Sequence, residues 1–365
     1  MKLAHIVVAS FLALLAVEPL LHAASDVFHR QRPKLLQVFL QAPSESNLRT
    51  YETALEDSSP LVERARPAMQ RARLQLLHDG GEKTLVGADG WMYYKPAVQY
   101  LAGGLDPGQW AEALEAVADF QRQLAARGVV LLVVPVPDKA SIVPQFLNGR
   151  LEGASLETPG EIFAQQLEQQ GIPVVHLFSA LSTEGKAAYL ILDTHWTPAG
   201  MEAAVAAVAR RVRQVPGLHL DVVQYQAVDM EVARGGDLLR MVESNASTAS
   251  LPSEKVTTRQ IRTGEGAPFK PQAEAEILVL GDSFLRIYEQ DDPRSAGFVA
   301  HLAHALGAPV SAIISDGGAA NLVREQLARQ PGLLKGKRVV IWEFAERDLG
   351  LAVGGWKKVQ LDQTE

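Results

Sequence analysis

Two short stretches of the chain carry side chains whose types and spacing suit acyl transfer. The first is Gly281-Asp282-Ser283-Phe284, directly behind the apolar run Ile277-Leu278-Val279-Leu280. A serine just beyond a strand stands where ligands bind in open α/β sheets. Gly281 lets the backbone turn sharply, and the N–H groups after it can face a developing oxyanion. A serine hydroxyl is a weak nucleophile alone and needs a base for its proton. The second stretch, Asp193-Thr194-His195-Trp196, offers one. Residues i and i+2 of an extended segment point the same way, so Asp193 could reach Nδ1 of His195, hold the ring and leave Nε2 for a serine. Ser283, His195 and Asp193 then read as nucleophile, base and orienter. The histidine stretch also reads as a polar turn ahead of a helix capped by Thr197 before Pro198, or as part of a metal site. A metal site needs more ligands, and His176 is the other histidine at a comparable strand end. No metal and no cofactor are expected.

The elements that must position these residues are legible as an alternation. Trp110, Leu114, Val117, Phe120 and Leu124 recur at helical spacing behind a cap at Asp106 and Pro107, and the helix closes at Gly128. Val129 to Val134 follows as a continuous apolar run, the pattern of a strand buried on both faces. A helix over about 161–170 leads to a short strand over Ile172 to Val175, and Pro198 opens a further helix. Strands over Ile277–Leu280, Val310–Ile314 and Arg338–Phe344 alternate with helices over about 294–306 and 319–329. Residues 215–275 break this rhythm with scattered polar, Gly and Pro residues and read as an insertion near the working face. Upstream, Gly87-Ala88-Asp89-Gly90 sets turn residues before Trp91, Met92, Tyr93 and Tyr94, the signature of a hairpin or strand start with buried aromatics. Strands alternating with helices call for a largely parallel sheet covered on both faces, a three-layer α/β/α arrangement.

Composition narrows the function classes. The 365 residues are 47% hydrophobic and 21% charged, enough for a full core. A net charge of -7 without a Lys/Arg run argues against nucleic acid as a partner. The absence of cysteine removes disulfides, thiolate catalysis and cysteine metal sites, and suits an oxidising compartment. At the N-terminus, Lys2, the apolar run Ile6 to Val17, the break at Glu18 and Pro19, and the small residues Ala23 and Ser25 describe an export signal over residues 1–25. It is either cut after Ser25 or retained as an anchor. Residues 26–80 read as a helical extension interrupted at Pro43, Pro60 and Pro67, ahead of a catalytic domain over 81–355.

The combination resembles the alginate O-acetyltransferase family, relatives of the SGNH hydrolases in which an Asp-x-His pair precedes the GDS serine. The stretches that carry the likeness are Gly87 to Trp91, Val134-Pro135-Val136-Pro137-Asp138-Lys139, Asp193 to Trp196, Gly281 to Phe284, and Val340-Ile341-Trp342-Glu343-Phe344. The resemblance implies an SGNH hydrolase-like fold and an acetyl-carrying Ser283, with His195 as base and Asp193 as its orienter. It further implies a periplasmic O-acetyltransferase acting on an exported, alginate-like polysaccharide, with a membrane-bound O-acyltransferase as the source of acetyl groups. The chain departs from the usual hydrolases, which place a spaced Asp-x-x-His after the serine. A GxND-type oxyanion block is also missing, and Asp316-Gly317-Gly318-Ala319-Ala320-Asn321 is the nearest substitute or a plain strand-to-helix turn. Arg286 and Tyr288 could border a pocket, while Lys139 and Arg347 read as loop supports or ion-pair partners. Two other functions fit the same residues: a polysaccharide acetyl esterase, and a non-catalytic periplasmic subunit of a polymer-export assembly.

Overall fold

The computed structural model describes residues 2–30, 44–49, 53, 73–74, 76–103, 107–151, 158–242 and 252–361. Most of the expected extension over 26–80, with Pro43, Pro60 and Pro67, and the cap expected at Asp106 lie outside these residues. The chain divides into two units, residues 1–78 with 243–247 and residues 79–242 with 248–365. In the first, helix α1 (Lys2–Phe28) runs through Glu18 and Pro19, where the apolar run ends. Among the described residues no helix is long and apolar enough to cross a membrane.

The second unit opens with a hairpin. Strands β1 (Thr84–Val86) and β2 (Met92–Tyr94) pair antiparallel. Asp89 (φ 54°) and Gly90 (φ 79°) supply the two positive φ angles that a tight hairpin turn requires. Helices α2 (Lys95–Ala102) and α3 (Ala111–Ala125) follow, then β3 (Val130–Val136), α4 (Pro159–Gln169) and α5 (Pro198–Val212). Downstream lie β4 (Tyr225–Arg234), α6 (Asp237–Val242), β5 (Glu254–Thr263), β6 (Ile277–Gly281), α7 (Ser283–Arg286) and α8 (Phe298–Leu306). The chain finishes with β7 (Ser311–Ile314), α9 (Leu322–Ala328), β8 (Val339–Ala345) and α10 (Asp348–Leu351).

The central sheet is parallel, in the order β3-β8-β6-β7. Alternate side chains of each strand enter different cores. Leu132, Val134, Val279 and Ile341 face Met201, Val205 and Val208 of α5 and Val299 and Leu302 of α8. Leu131, Val133, Leu278, Leu280, Val340 and Trp342 face Val117 and Phe120 of α3, Phe163 of α4 and Val323 of α9. A sheet apolar on both sides must be covered on both sides, which is why these strands read as continuous apolar runs. The three layers follow directly.

Three local expectations change. The strand over Ile172 to Val175 shrinks to a single bridge between Val174 and Val133, because Pro173 has no N–H to extend the ladder. The helix expected from about 294 begins at Phe298, since Arg294 (φ 63°) and Ser295 (φ 53°) cannot belong to a right-handed helix. The irregular stretch 215–275 contains a long antiparallel ribbon, β4 on β5, registered from Tyr225 opposite Thr263 to Arg234 opposite Glu254.

Candidate active site

Ser283 is set by the end of β6. An added Cβ at Gly281 would lie 2.2 Å from Glu343 Oε2 and 2.5 Å from Leu285 Cδ1, so only glycine fits there. Asp282 then caps α7: its Oδ1 accepts from Phe284 N at 2.9 Å, and its carbonyl accepts from Leu285 N at 3.1 Å. The N–H groups that follow Ser283 are therefore spent on the turn itself. The amide of Ser283 has no acceptor among the described residues. Under this turn lies Glu343 of β8, fully buried, whose Oε2 accepts from Asp282 N at 3.0 Å. Burial pushes this carboxyl well up, and the neighbouring Asp282 adds to the rise. Ser283 itself is only half-buried and open to a substrate.

His195 is held differently. It lies in a loop between Tyr189 and Trp196, which form an isolated antiparallel bridge. The segment is a turn, where the sequence suggests an extended strand end. Asp193 Oδ1 accepts both the backbone N–H of His195, at 3.1 Å, and its ring Nδ1, at 2.6 Å. The short Asp side chain bonds the backbone two residues on and so builds the turn that presents the ring.

The two stretches meet through aromatic packing and one hydrogen bond. Phe284 stands edge-on to His195 at 4.9 Å and to Trp196 at 5.0 Å, and Trp196 stacks on Phe298 of α8. Ser283 Oγ donates to His195 Nε2 at 2.8 Å. All three residues singled out in the sequence thus come together in one chain of hydrogen bonds.

The electrostatics favour a basic imidazole. Burial pulls the His195 ring down, but Asp193 and then Asp237 outweigh it, and the net direction is up. Asp193 goes the other way. Burial alone would raise it, yet the imidazole and Arg234 hold its carboxyl well below the usual carboxylate range. The lowered carboxylate in turn favours the protonated form of the ring.

Further contacts fix the histidine loop. Glu254 of β5 accepts from Ile191 N at 2.8 Å and Leu192 N at 2.7 Å. Lys139, buried behind the loop, donates to the carbonyls of Met92, Ile191 and Asp193 at 2.6, 2.8 and 3.2 Å. Its ammonium also faces the rings of Trp91 and Tyr93 at 4.9 and 5.2 Å. Burial brings this lysine down to about 7.

Arg347 pairs with Asp138 at 2.8 Å and lies over Phe284. Arg286 pairs with Asp291 and Asp316, and Tyr288 is buried. In the glycine turn, Gly318 N donates to Ser315 O at 3.3 Å. His176 pairs with Glu168 at the surface, 3.0 Å away, apart from this set.

Ligand atoms of Asp193, His195 and Asp237 lie within 4.8 Å of one another, a spacing that could hold a cation. The hydrogen bonds already made account for the grouping: each carboxylate accepts backbone N–H groups, and Asp193 accepts the ring nitrogen.

Asp237 and Glu254 are not among the residues singled out in the sequence, and Glu343 stands there only within the stretch Val340 to Phe344. Asp237 follows the pair Gly235-Gly236, a signal of close backbone approach, inside a segment read as irregular.

Residues 84–346 match the family described as SGNH hydrolase-like domain, acetyltransferase AlgX. The chain is 27% identical over 294 residues to the probable alginate O-acetylase AlgJ of Pseudomonas aeruginosa, covering 76% of this chain and 73% of the relative. It is 26% identical over 315 residues to the same-named protein of Pseudomonas fluorescens, covering 82% and 76%. Among solved structures, the O-acetyltransferase domain of Pseudomonas putida AlgJ superposes with a TM-score of 0.58 at 22% identity, over 73% of this chain and 91% of that one. Pseudomonas aeruginosa AlgX gives 0.53 at 19% identity, over 73% and 66%. These two share the fold. The chain belongs to the SGNH hydrolase-like acetyltransferase AlgX family and is an O-acyltransferase.

Proposed function

We propose that the chain moves acetyl groups onto hydroxyls of an alginate-like polysaccharide through an acetyl-Ser283 intermediate. The observation that carries this reading is the unbroken path from Ser283 Oγ through His195 to Asp193, with links of 2.8 and 2.6 Å. The curated relatives named as alginate O-acetylases supply the substrate class.

His195 Nε2 takes the Ser283 proton as Oγ attacks the acetyl carbonyl of the donor. The amide of Ser283, at the head of α7, is the donor this turn offers to the oxyanion. The tetrahedral intermediate collapses, the donor oxygen leaves, and His195 returns the proton to it. An acceptor hydroxyl then gives its proton to Nε2 and attacks the acetyl-serine carbonyl. Collapse passes the acetyl group to the sugar, and His195 returns the proton to Ser283 Oγ. Asp193 remains a carboxylate throughout and steadies the imidazolium. In this scheme the chain is exported by its N-terminal segment, and a membrane-bound O-acyltransferase supplies the acetyl groups.

The base works only when neutral. Because the imidazole is raised, the acid limb of kcat/KM is expected above the ordinary histidine value of about 6.5.

The purified protein, given an acetyl ester and mannuronate oligosaccharides, should yield acetylated sugars by mass spectrometry. Ser283→Ala should lower that yield by about 10³-fold or more. Acetate release unaffected by the acceptor, with no acetylated sugar, would make the chain an esterase. Full transfer by Ser283→Ala would reject the serine mechanism.

A further inference from the structure

We infer that Asp237 is a positioning residue of this site, acting on His195 through Thr194 and through its own charge; the inference rests on the function proposed above. Asp237 opens α6, more than forty residues beyond the histidine in sequence, and reaches the Nδ1 side of the ring. Its Oδ1 accepts from Thr194 N at 2.7 Å, and its Oδ2 accepts from the Thr194 hydroxyl at 2.5 Å. Burial and then Asp193 raise the Asp237 carboxyl, while His195 and the two hydrogen bonds from Thr194 act against that rise; both oxygens accept, which suits the ionised form. The same Oδ2 stands 3.7 Å from His195 Nδ1, and the Thr194 hydroxyl stands 3.3 Å from it. The backbone N–H of Asp237 donates to Asp193 Oδ2 at 3.2 Å, so the residue also fixes the primary orienter.

The fold gives up freedom to bring Asp237 here. A Cβ at Gly236 would lie 2.0 Å from Leu192 O, so the two loops touch backbone to backbone. Thr84 Oγ1 donates to Leu238 O at 3.2 Å and ties α6 to the hairpin strand β1. A carboxylate placed on a turn this tightly keyed acts on the imidazole in two ways. It stops the 193–195 turn from rocking, and it adds a second negative charge beside the imidazolium that forms during both proton transfers. The charged groups facing the same corner are Asp193, Arg234, Lys139, Arg347 and Glu254.

Asp237→Asn keeps an acceptor for Thr194 N but offers NH2 to the threonine hydroxyl and carries no charge. We expect kcat for acetyl transfer to fall about tenfold with KM for the acetyl ester unchanged. Removing a negative charge disfavours the imidazolium, so the acid limb of kcat/KM should move to lower pH. A purely structural role would lower stability without moving that limb. Thr194→Val removes the hydroxyl link and keeps both carboxylates, and it should lower kcat while leaving the limb nearly in place. An unchanged kcat or an unmoved acid limb in Asp237→Asn overturns the inference. If that variant does not fold by circular dichroism, wild-type kcat in Thr194→Val overturns it instead. Loss of transfer in Ser283→Ala beside an unaffected Asp237→Asn sinks this inference alone. Transfer retained by Ser283→Ala sinks the proposed function first.

Discussion

The serine side and the histidine side of the site are built by opposite means. Ser283 stands on regular structure: β6 ends, glycine turns the chain, Asp282 caps α7, and the carboxyl of Glu343 below is pushed up by burial. His195 stands on a turn without a strand of its own, held by Asp193, Asp237, Glu254 and Lys139, which come from four parts of the chain. On one side backbone geometry does the positioning, and the acid below it is favoured in its neutral form. On the other, a lowered carboxylate and an ammonium do it. The comparison teaches why the serine can be placed by rule, whereas His195 depends on a network that spans the domain.

Removing Ser283 itself gives the largest expected loss, as set out above. The next largest should come from the backbone beneath it. Gly281→Ala forces a Cβ against Glu343 and Leu285, and Ser283 must shift. A displacement near 1 Å at a reacting atom costs about 10²-fold in rate. Steady-state kinetics beside thermal unfolding would show whether kcat/KM falls by that factor; a wild-type rate would mean that the turn is not the positioning device.

Lys139→Met tests the other side. Three carbonyls lose their donor in a buried place, which should cost about 3 kcal/mol of stability and lower transfer about tenfold. Denaturant titration checks the first figure, and acetyl transfer the second. Asp237→Asn belongs at the same level as Lys139→Met for activity, but it should move the pH profile.

The effect that bears least on transfer is the pH dependence of stability. Burial raises Glu346, Asp348 and Glu289 to about 7. Between their unfolded values near 4 and about 7, the folded state binds more protons, so stability is greatest at low pH and declines as pH rises. Lys139, lowered to about 7, starts to release its proton in the folded state only at the top of this range, and the depressed Asp193 acts only below it. The midpoint of thermal unfolding should be lower at pH 7 than at pH 5. A midpoint that rises over this interval would show that the acids on the serine side are ionised in the folded protein.

Much of the layer architecture was legible in the sequence. The strands of the central sheet are apolar on both faces, so their periodicity survives without knowledge of their neighbours. The hairpin at Asp89-Gly90 carries its own turn chemistry. The ribbon β4–β5 was harder. Val228, Met230 and Val232 do alternate with Asp229 and Glu231, but the two strands form a sheet of their own and the burial of β4 is partial. Glu254 was invisible as a site residue, because nothing local sets a carboxylate that caps a distant loop apart from one facing water, and Asp237 had only the glycine pair before it as a sign of close approach.

Sequence by itself determined the chemical types at the site and the places where strands end. Gly281, Asp282 and Ser283 act on their immediate neighbours, and Asp193 acts on a residue two positions away. Such short-range geometry follows from bond lengths and allowed backbone angles alone. Only the tertiary structure decided that Nε2 of His195 would lie 2.8 Å from Ser283 Oγ, that Asp237 would reach the other edge of the ring, and that Lys139 would hold the loop behind it. Those contacts join residues tens of positions apart, so they exist only once the two cores have packed and brought the loops to one end of the sheet.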